Sequence, residues 1–125
     1  MGQTKALTLE PRQEQSVMQI TAAEIGEEQN VIHLEGDMGA YGKVYSTLIF
    51  KFNADRSGGT YTAQGRGFVD ENTMLGGTGA GVWKREGSKA YLEEVVNIND
   101  GTQNLHRAVM DMMNKTLVLD AYILR

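Results

Sequence analysis

Cysteine is absent from the 125 residues, which excludes disulfides, iron–sulfur clusters and thiol chemistry. Two histidines are too few for a multi-histidine metal site unless subunits share one. No apolar run approaches the roughly 20 residues that cross a bilayer as a helix, so no membrane is expected as a partner. The N-terminus lacks a basic region followed by an apolar stretch and does not read as a secretory leader, though a removed leader would leave no trace. A cytoplasmic location is the expectation. Concentrated positive charge is missing too. Formal charge is -4, from 12 basic and 16 acidic side chains. Residues 1–41 hold two basic and seven acidic residues, giving -5, and the remainder holds ten and nine, giving +1. Neither half offers the basic surface that a phosphate backbone requires, so no nucleic-acid partner is expected.

Proline is nearly missing, with one residue against 15 glycines. Thirteen of those glycines lie between Gly36 and Gly101, where they alternate with Val, Thr, Phe and Trp instead of clustering with Ser and Gln as in a linker. Glycine inside strands marks curvature, a bulge or a close approach. A small closed barrel needs many such places, and the length fits one domain, residues 1–125, with 1–30 the least certain part.

What is present is a β-meander. Tyr45–Asn53 (YSTLIFKFN), Gly59–Asp70 (GTYTAQGRGFVD) and Thr73–Glu86 (TMLGGTGAGVWKRE) are strand-like, and each ends in a turn signal. Upstream, Lys5–Glu10 reads as a loose first strand, Val17–Ala22 as a half-buried one, and Ala22–Gln29 as polar with at most one helical turn. Val31–Glu35 is a firmer strand, and the long strand Tyr41–Asn53 follows it. Its centre, Leu48-Ile49-Phe50, is apolar on both faces, which predicts a covered outer side and a homo-oligomer, dimer or trimer.

A turn centred on Glu71 places Gly65 opposite Gly77, Ala63 opposite Gly79 and Tyr61 opposite Gly81, so one face of this hairpin is nearly bare. The other carries Thr62, Gln64, Arg66 and Phe68 against Met74, Thr78, Ala80 and Val82. Ala90–Ile98 alternates, with Leu92, Glu94 and Val96 on one side and Tyr91, Glu93 and Val95 on the other. Residues 103–113 fit helical spacing at Leu105, Ala108, Val109, Met112 and Met113, yet also fit a strand. The all-β context favours the second reading, a hairpin turning at Met113-Asn114-Lys115 into a last strand, Thr116–Leu124.

The run Gly76-Gly77-Thr78-Gly79-Ala80-Gly81 lacks a lysine at Walker spacing and a βαβ context, so it reads as strand glycines. His33 and Glu35 share a strand face and form a candidate acid–base pair. His106 has no sequence neighbour to orient it. Arg66 forms a polar stripe with Gln64 and Thr62. Turned inward, that stripe requires a buried carboxylate, and Glu94 is the first choice; turned outward, Arg66 is a solvated strand residue. Tyr45, Phe68, Trp83 and Tyr91, with Gln64, are the candidate substrate-binding residues, and Arg66, Glu94, His33 and Glu35 the candidate catalytic ones.

Glu35-Gly36-Asp37, Tyr41-Gly42-Lys43-Val44-Tyr45, Gly59-Thr60, Gly65-Arg66-Gly67 and Gly77-Thr78-Gly79, in that order, resemble the small barrels of the allene oxide cyclase and dirigent group. The resemblance covers residues 31–98, and extends to 125 with the C-terminal hairpin. It implies an all-β, single antiparallel barrel of about eight strands, with meander-like order and no cofactor. It also implies a hydrophobic small molecule as partner. A complete catalytic constellation of that group has no match in the sequence. Two functions follow as expectations. One is a cofactor-free cyclase or isomerase that pre-organises an apolar substrate; the other is a non-catalytic barrel that binds an apolar ligand or serves in an assembly.

Overall fold

The computed structural model describes residues 5–125. Eight strands follow one another around a closed antiparallel barrel, each paired with its sequence neighbours: β1 Ser16–Ile25, β2 Gln29–Asp37, β3 Lys43–Lys51, β4 Gly58–Asp70, β5 Thr73–Glu86, β6 Lys89–Ile98, β7 Gln103–Asp111 and β8 Thr116–Ile123. A 3-10 turn, Gly39–Tyr41, joins β2 to β3. Closure between β1 and β8 is short, running from Ser16 opposite Leu119 to Gln19 opposite Thr116. The preceding segment lengthens that seam. Arg12 N–H donates to the Ala121 carbonyl at 2.8 Å, and Ile123 N–H donates to the Glu10 carbonyl at 2.9 Å.

The expected glycine hairpin is present with its facing pairs: Gly65 opposite Gly77, Ala63 opposite Gly79, Tyr61 opposite Gly81. Residues 103–111 are strand, the turn covers residues 112–115, and the hairpin reading of the C-terminal part holds. Two upstream expectations are corrected. Lys5–Glu10 is not a strand; its one tie to the barrel ladder is the Glu10 carbonyl. Ala22–Gln29 holds no helical turn, because β1 runs on to Ile25 and pairs with β2 beyond a bulge between Ile20 and Ala22. The two-sided run in β3 divides cleanly. Leu48 and Phe50 are buried inside, while Ile49 faces outward, half-buried between Val31 and Thr62 on the neighbouring strands.

Alternation decides the interior. Even-numbered residues of β2, β3, β6, β7 and of β1 as far as its bulge, and odd-numbered residues of β4, β5 and β8, point inward; beyond the bulge β1 changes parity, with Ala23 opposite inward Ile32. Met18, Ile32, Leu34, Leu48, Phe50, Tyr61, Leu92, Met110, Leu117 and Leu119 form the core. One end is closed by Met38 and Tyr41 from the 3-10 turn, both buried. The other is closed by aromatic rings. Phe50 stacks on Tyr61 with centroids 5.1 Å apart, and Trp83 meets Phe50 edge-on at 5.7 Å.

Candidate functional site

The alternation that buries Leu92 and Val96 on β6 also carries Glu94 inside, since these residues share one strand face. On β7 the same logic turns His106 inward between Asn104 and Ala108. Register then sets Glu94 directly opposite His106. Both are 7 % exposed, and Glu94 Oε1 lies 3.7 Å from His106 Nδ1, an ion-pair distance longer than a good hydrogen bond. The remaining atoms, Glu94 Oε2 and His106 Nε2, are buried without a hydrogen-bond partner. Leaving such groups unpaired in an apolar interior is costly, on the order of 1–3 kcal/mol each, and more for a charge.

Asn104, one inward position along β7, shows the contrast. It is fully buried and both of its polar side-chain atoms have a partner: its Oδ1 accepts from Arg12 Nε at 2.8 Å, and its Nδ2 donates to Tyr41 Oη at 2.9 Å. Tyr41 Oη continues to Thr102 Oγ1 at 3.1 Å. That network ties the N-terminal segment, the 3-10 turn and β7 together at one end of the barrel. It is built to hold structure. The Glu94–His106 pair lacks such closure.

The pair faces a cavity of about 90 Å³ lined by Leu34, Leu48, Ala63, Gly65, Gly77, Gly79, Val96 and Leu117, among others. The bare glycine face of β4 and β5 is the source of this space. Glu94 Oε2 occupies the position that a Cβ on Gly79 would take, so a glycine there lets the carboxylate lie against the strand. Tyr61, buried in the core against Phe50, feels the same interior: burial, followed by the charges of Glu94 and Glu93, pushes its phenol well above the ordinary value. An imidazole beside a carboxylate in a water-poor cavity can accept and return a proton, or receive one polar group of a bound molecule. Among the described residues no group of three or more His, Asp or Glu side chains is placed to hold a metal ion.

Of the residues expected to form a site, Glu94 lies in the cavity and Trp83 faces inward at the aromatic end, its Nε1 donating to the Lys51 carbonyl at 2.9 Å. Seven others are on the outer surface. Arg66 is exposed and its Nη1 donates to the Gly65 carbonyl at 2.8 Å, so the inward Arg66–Glu94 pair does not form. The physical reason is desolvation: with the glycine face inside, the polar stripe Thr62–Gln64–Arg66 stays in water. His33 does not pair with Glu35; its Nε2 lies 3.2 Å from Glu24 Oε2 on β1, and its Nδ1 lies 3.1 Å from Thr47 Oγ1. Register gathers His33, Thr47 and Gln64 in one outer row and Glu35, Tyr45 and Arg66 in the next. Phe68 meets Tyr45 edge-on at 6.1 Å, and Tyr91 stands apart on β6. His33, Tyr45, Thr47, Gln64 and Arg66 line a shallow groove on β2–β4 that adjoins the cavity, since Gln64 and Arg66 also line the cavity's edge.

His106 is the residue that sequence reasoning underweighted. Its signal was the even-numbered face Asn104, His106, Ala108 and Met110, visible only if 103–111 is taken as strand.

Comparison of the chain with protein-family models, with curated proteins and with solved structures finds no match. What the chain shares with the allene oxide cyclase and dirigent group is therefore the eight-stranded antiparallel barrel itself, and nothing ties it specifically to that group.

Proposed function

We propose that the barrel binds a small, mostly apolar molecule whose one polar group, a hydroxyl or carbonyl, is received by Glu94 and His106. The observation that carries this reading is the pair of buried, unpartnered atoms, Glu94 Oε2 and His106 Nε2, on an apolar cavity. A ligand hydroxyl meets both demands, donating to Glu94 Oε2 and accepting from His106 Nε2–H, whereas a carbonyl meets only that of His106; the hydrocarbon body fills the glycine-lined space. The volume suits a compact molecule: a cavity of about 150 Å³ takes benzene, and this one is smaller at about 90 Å³.

Cyclopentanol, cyclopentanone and cyclopentane, titrated against the protein by ligand-observed magnetic resonance, test the reading. The alcohol or ketone binds and the hydrocarbon binds more weakly. Glu94→Gln and His106→Phe each weaken the polar ligand by about 1–3 kcal/mol, the scale of a hydrogen bond to a charged group. Equal binding of cyclopentane and cyclopentanol, unaffected by either substitution, would remove the pair from the site.

The second reading, a cofactor-free isomerase or cyclase, is favoured by one feature: imidazole and carboxylate meet at 3.7 Å away from water. In that reading the pair abstracts a proton next to a ligand carbonyl and returns it at another position. Deuterium exchange at the carbons flanking the carbonyl of cyclopentanone, in heavy water, distinguishes the two. Protein-accelerated exchange abolished by Glu94→Gln supports the enzyme; binding without exchange supports the ligand-binding barrel.

A further inference from the structure

The aromatic end of the barrel carries a second concavity that shares no residue with the Glu94–His106 cavity. It is a depression of about 250 Å³, floored by Phe52, Trp83 and Met112 and rimmed by Arg56, Arg85 and Lys89. We propose that this mouth binds an organic anion with a flat or aliphatic apolar body, the body on the rings and the anionic group among the three cations.

Phe52 and Trp83 are half-buried and meet edge-to-face at 5.9 Å, while Met112 is exposed. The Trp83 polar atom is already spent on the Lys51 carbonyl, so the ring surface facing the mouth is apolar. The rim is positioned by backbone. Arg56 adopts a positive φ of 61° in the β3–β4 turn, where its N–H donates to the Asn53 carbonyl at 3.1 Å, and its guanidinium stands 5.2 Å from the centroid of Phe52. Arg85 N–H donates to the Ser57 carbonyl at 2.8 Å, fastening that turn to β5. Arg85 Nη1 donates to the Gly87 carbonyl at 3.0 Å, which leaves its other donors unspent.

Charge decides the class of occupant. Among the described residues none of Arg56, Arg85 and Lys89 has a carboxylate within 4.0 Å. Of the nearby acids, Glu86 and Asp111 stand opposite Lys89 in register without forming an ion pair, and Asp55 and Asp111 are engaged in turns. Asp55 accepts from Ser57 N–H and Oγ at 3.0 and 2.7 Å, and Asp111 accepts from the turn residues Met113 and Asn114. A chain of net charge -4 thus gathers three unpaired cations around one apolar floor. A neutral ligand would use the rings alone. An anion gains charge-assisted hydrogen bonds as well.

Trp83 is the single tryptophan, so its fluorescence reports occupancy of this mouth directly. The probes are anilinonaphthalene sulfonate and uncharged N-phenylnaphthylamine, which share an apolar body and differ in the anionic group. The sulfonate quenches Trp83 saturably, with affinity at least about tenfold above the neutral compound, and added salt narrows the gap. Arg85→Gln with Lys89→Gln lowers sulfonate affinity about fivefold or more and leaves the neutral compound unchanged. These exposed positions can lose their charge without disturbing the core, and an unchanged melting temperature verifies it. Glu94→Gln leaves both affinities unchanged, which keeps this outcome separate from the fate of the inner cavity. Equal affinity of the two probes would overturn the proposal. So would sulfonate binding that ignores Arg85 and Lys89 or follows Glu94.

Discussion

The two walls of the barrel interior are built on opposite plans. β1, β2 and β8 send Met18, Ile32, Leu34, Leu117 and Leu119 inward, every one of them buried. Over their middle, between Tyr61 and Trp83 at one end and Leu75 at the other, β4 and β5 send only Ala63, Gly65, Gly67, Gly77, Gly79 and Gly81. The bulky wall supplies the burial that holds the barrel closed, on the order of 1.5–3 kcal/mol for each fully buried aliphatic side chain. The bare wall supplies volume. The cavity is therefore no packing defect spread through the core. It lies where Cβ atoms are missing, and the one carboxylate of the interior rests against that wall at Gly79.

If the walls differ in this way, truncating the bulky one should be the most damaging change. Leu117, 2 % exposed, is the sharpest choice: Leu117→Ala should cost about 2–5 kcal/mol in denaturant unfolding. A loss well under 1 kcal/mol would mean that the bulky wall does not carry the barrel.

The bare wall is itself divided. A Cβ on Gly81 meets the Glu93 carbonyl and the Glu94 backbone, so Gly81→Ala should destabilise by about 1–3 kcal/mol. A Cβ on Gly77 finds its nearest neighbours at 3.6–3.7 Å, ordinary contact. Gly77→Ala should fall within about 1 kcal/mol of the parent, with the reduced freedom of the unfolded chain tending to stabilise it. Paired unfolding curves check both, and a reversed order would break the assignment of tight and open glycines.

Tyr61, on the bare wall, sharpens the comparison through pH. Burial raises its phenol above the ordinary value of 10.0, with the charges of Glu94 and Glu93 adding to the shift. Above that pH the unfolded chain releases the proton while the folded chain retains it, so stability falls as pH rises. Tyr61→Phe should remove this share of the alkaline loss. Unfolding free energies measured across that range test it, and parallel curves for the two proteins would contradict a buried phenol.

The smallest effects belong to neither wall. Asp55, Asp70, Asp100 and Asp111 sit in turns, where hydrogen bonds from Ser57, Asn72, Thr102 and Asn114 respectively hold their carboxyls below the ordinary 3.8. Their stabilisation is present above that value and is lost as pH falls through the lowered one. Asp100→Ala should lower the melting temperature slightly at neutral pH, with the difference shrinking under acid. A difference that persists unchanged in acid would assign the effect to something other than the carboxylate.

Much of the barrel could be read in advance because its signals are local. The turn at Glu71-Asn72 sets which glycines face each other, and Asn99-Asp100-Gly101 ends β6 where expected. The candidate site was only half legible. Glu94 was expected inside, but as the partner of Arg66, where the structure sets it beside His106; His33 was expected to pair with Glu35 and meets Glu24. His33 meets Glu24 because β1 continues into the Ala22–Gln29 stretch, as far as Ile25, where at most one helical turn was expected.

The sequence by itself determined the strands, most of their turns and the two sets of residues that share a face on each strand, since period-two alternation is a local property of the chain. Only the tertiary structure decided which set is inside. Alternation is unchanged when a strand is turned over, so the β4–β5 hairpin permits either its glycine face or its polar stripe to point inward. The choice falls to side chains far away in sequence. With its glycines inside, the hairpin faces the apolar Met18, Leu34, Leu117 and Leu119 across the cavity, while the Arg66 guanidinium keeps its water. The same closure sets His106 beside Glu94, a pairing made by the β6–β7 register and invisible to any motif.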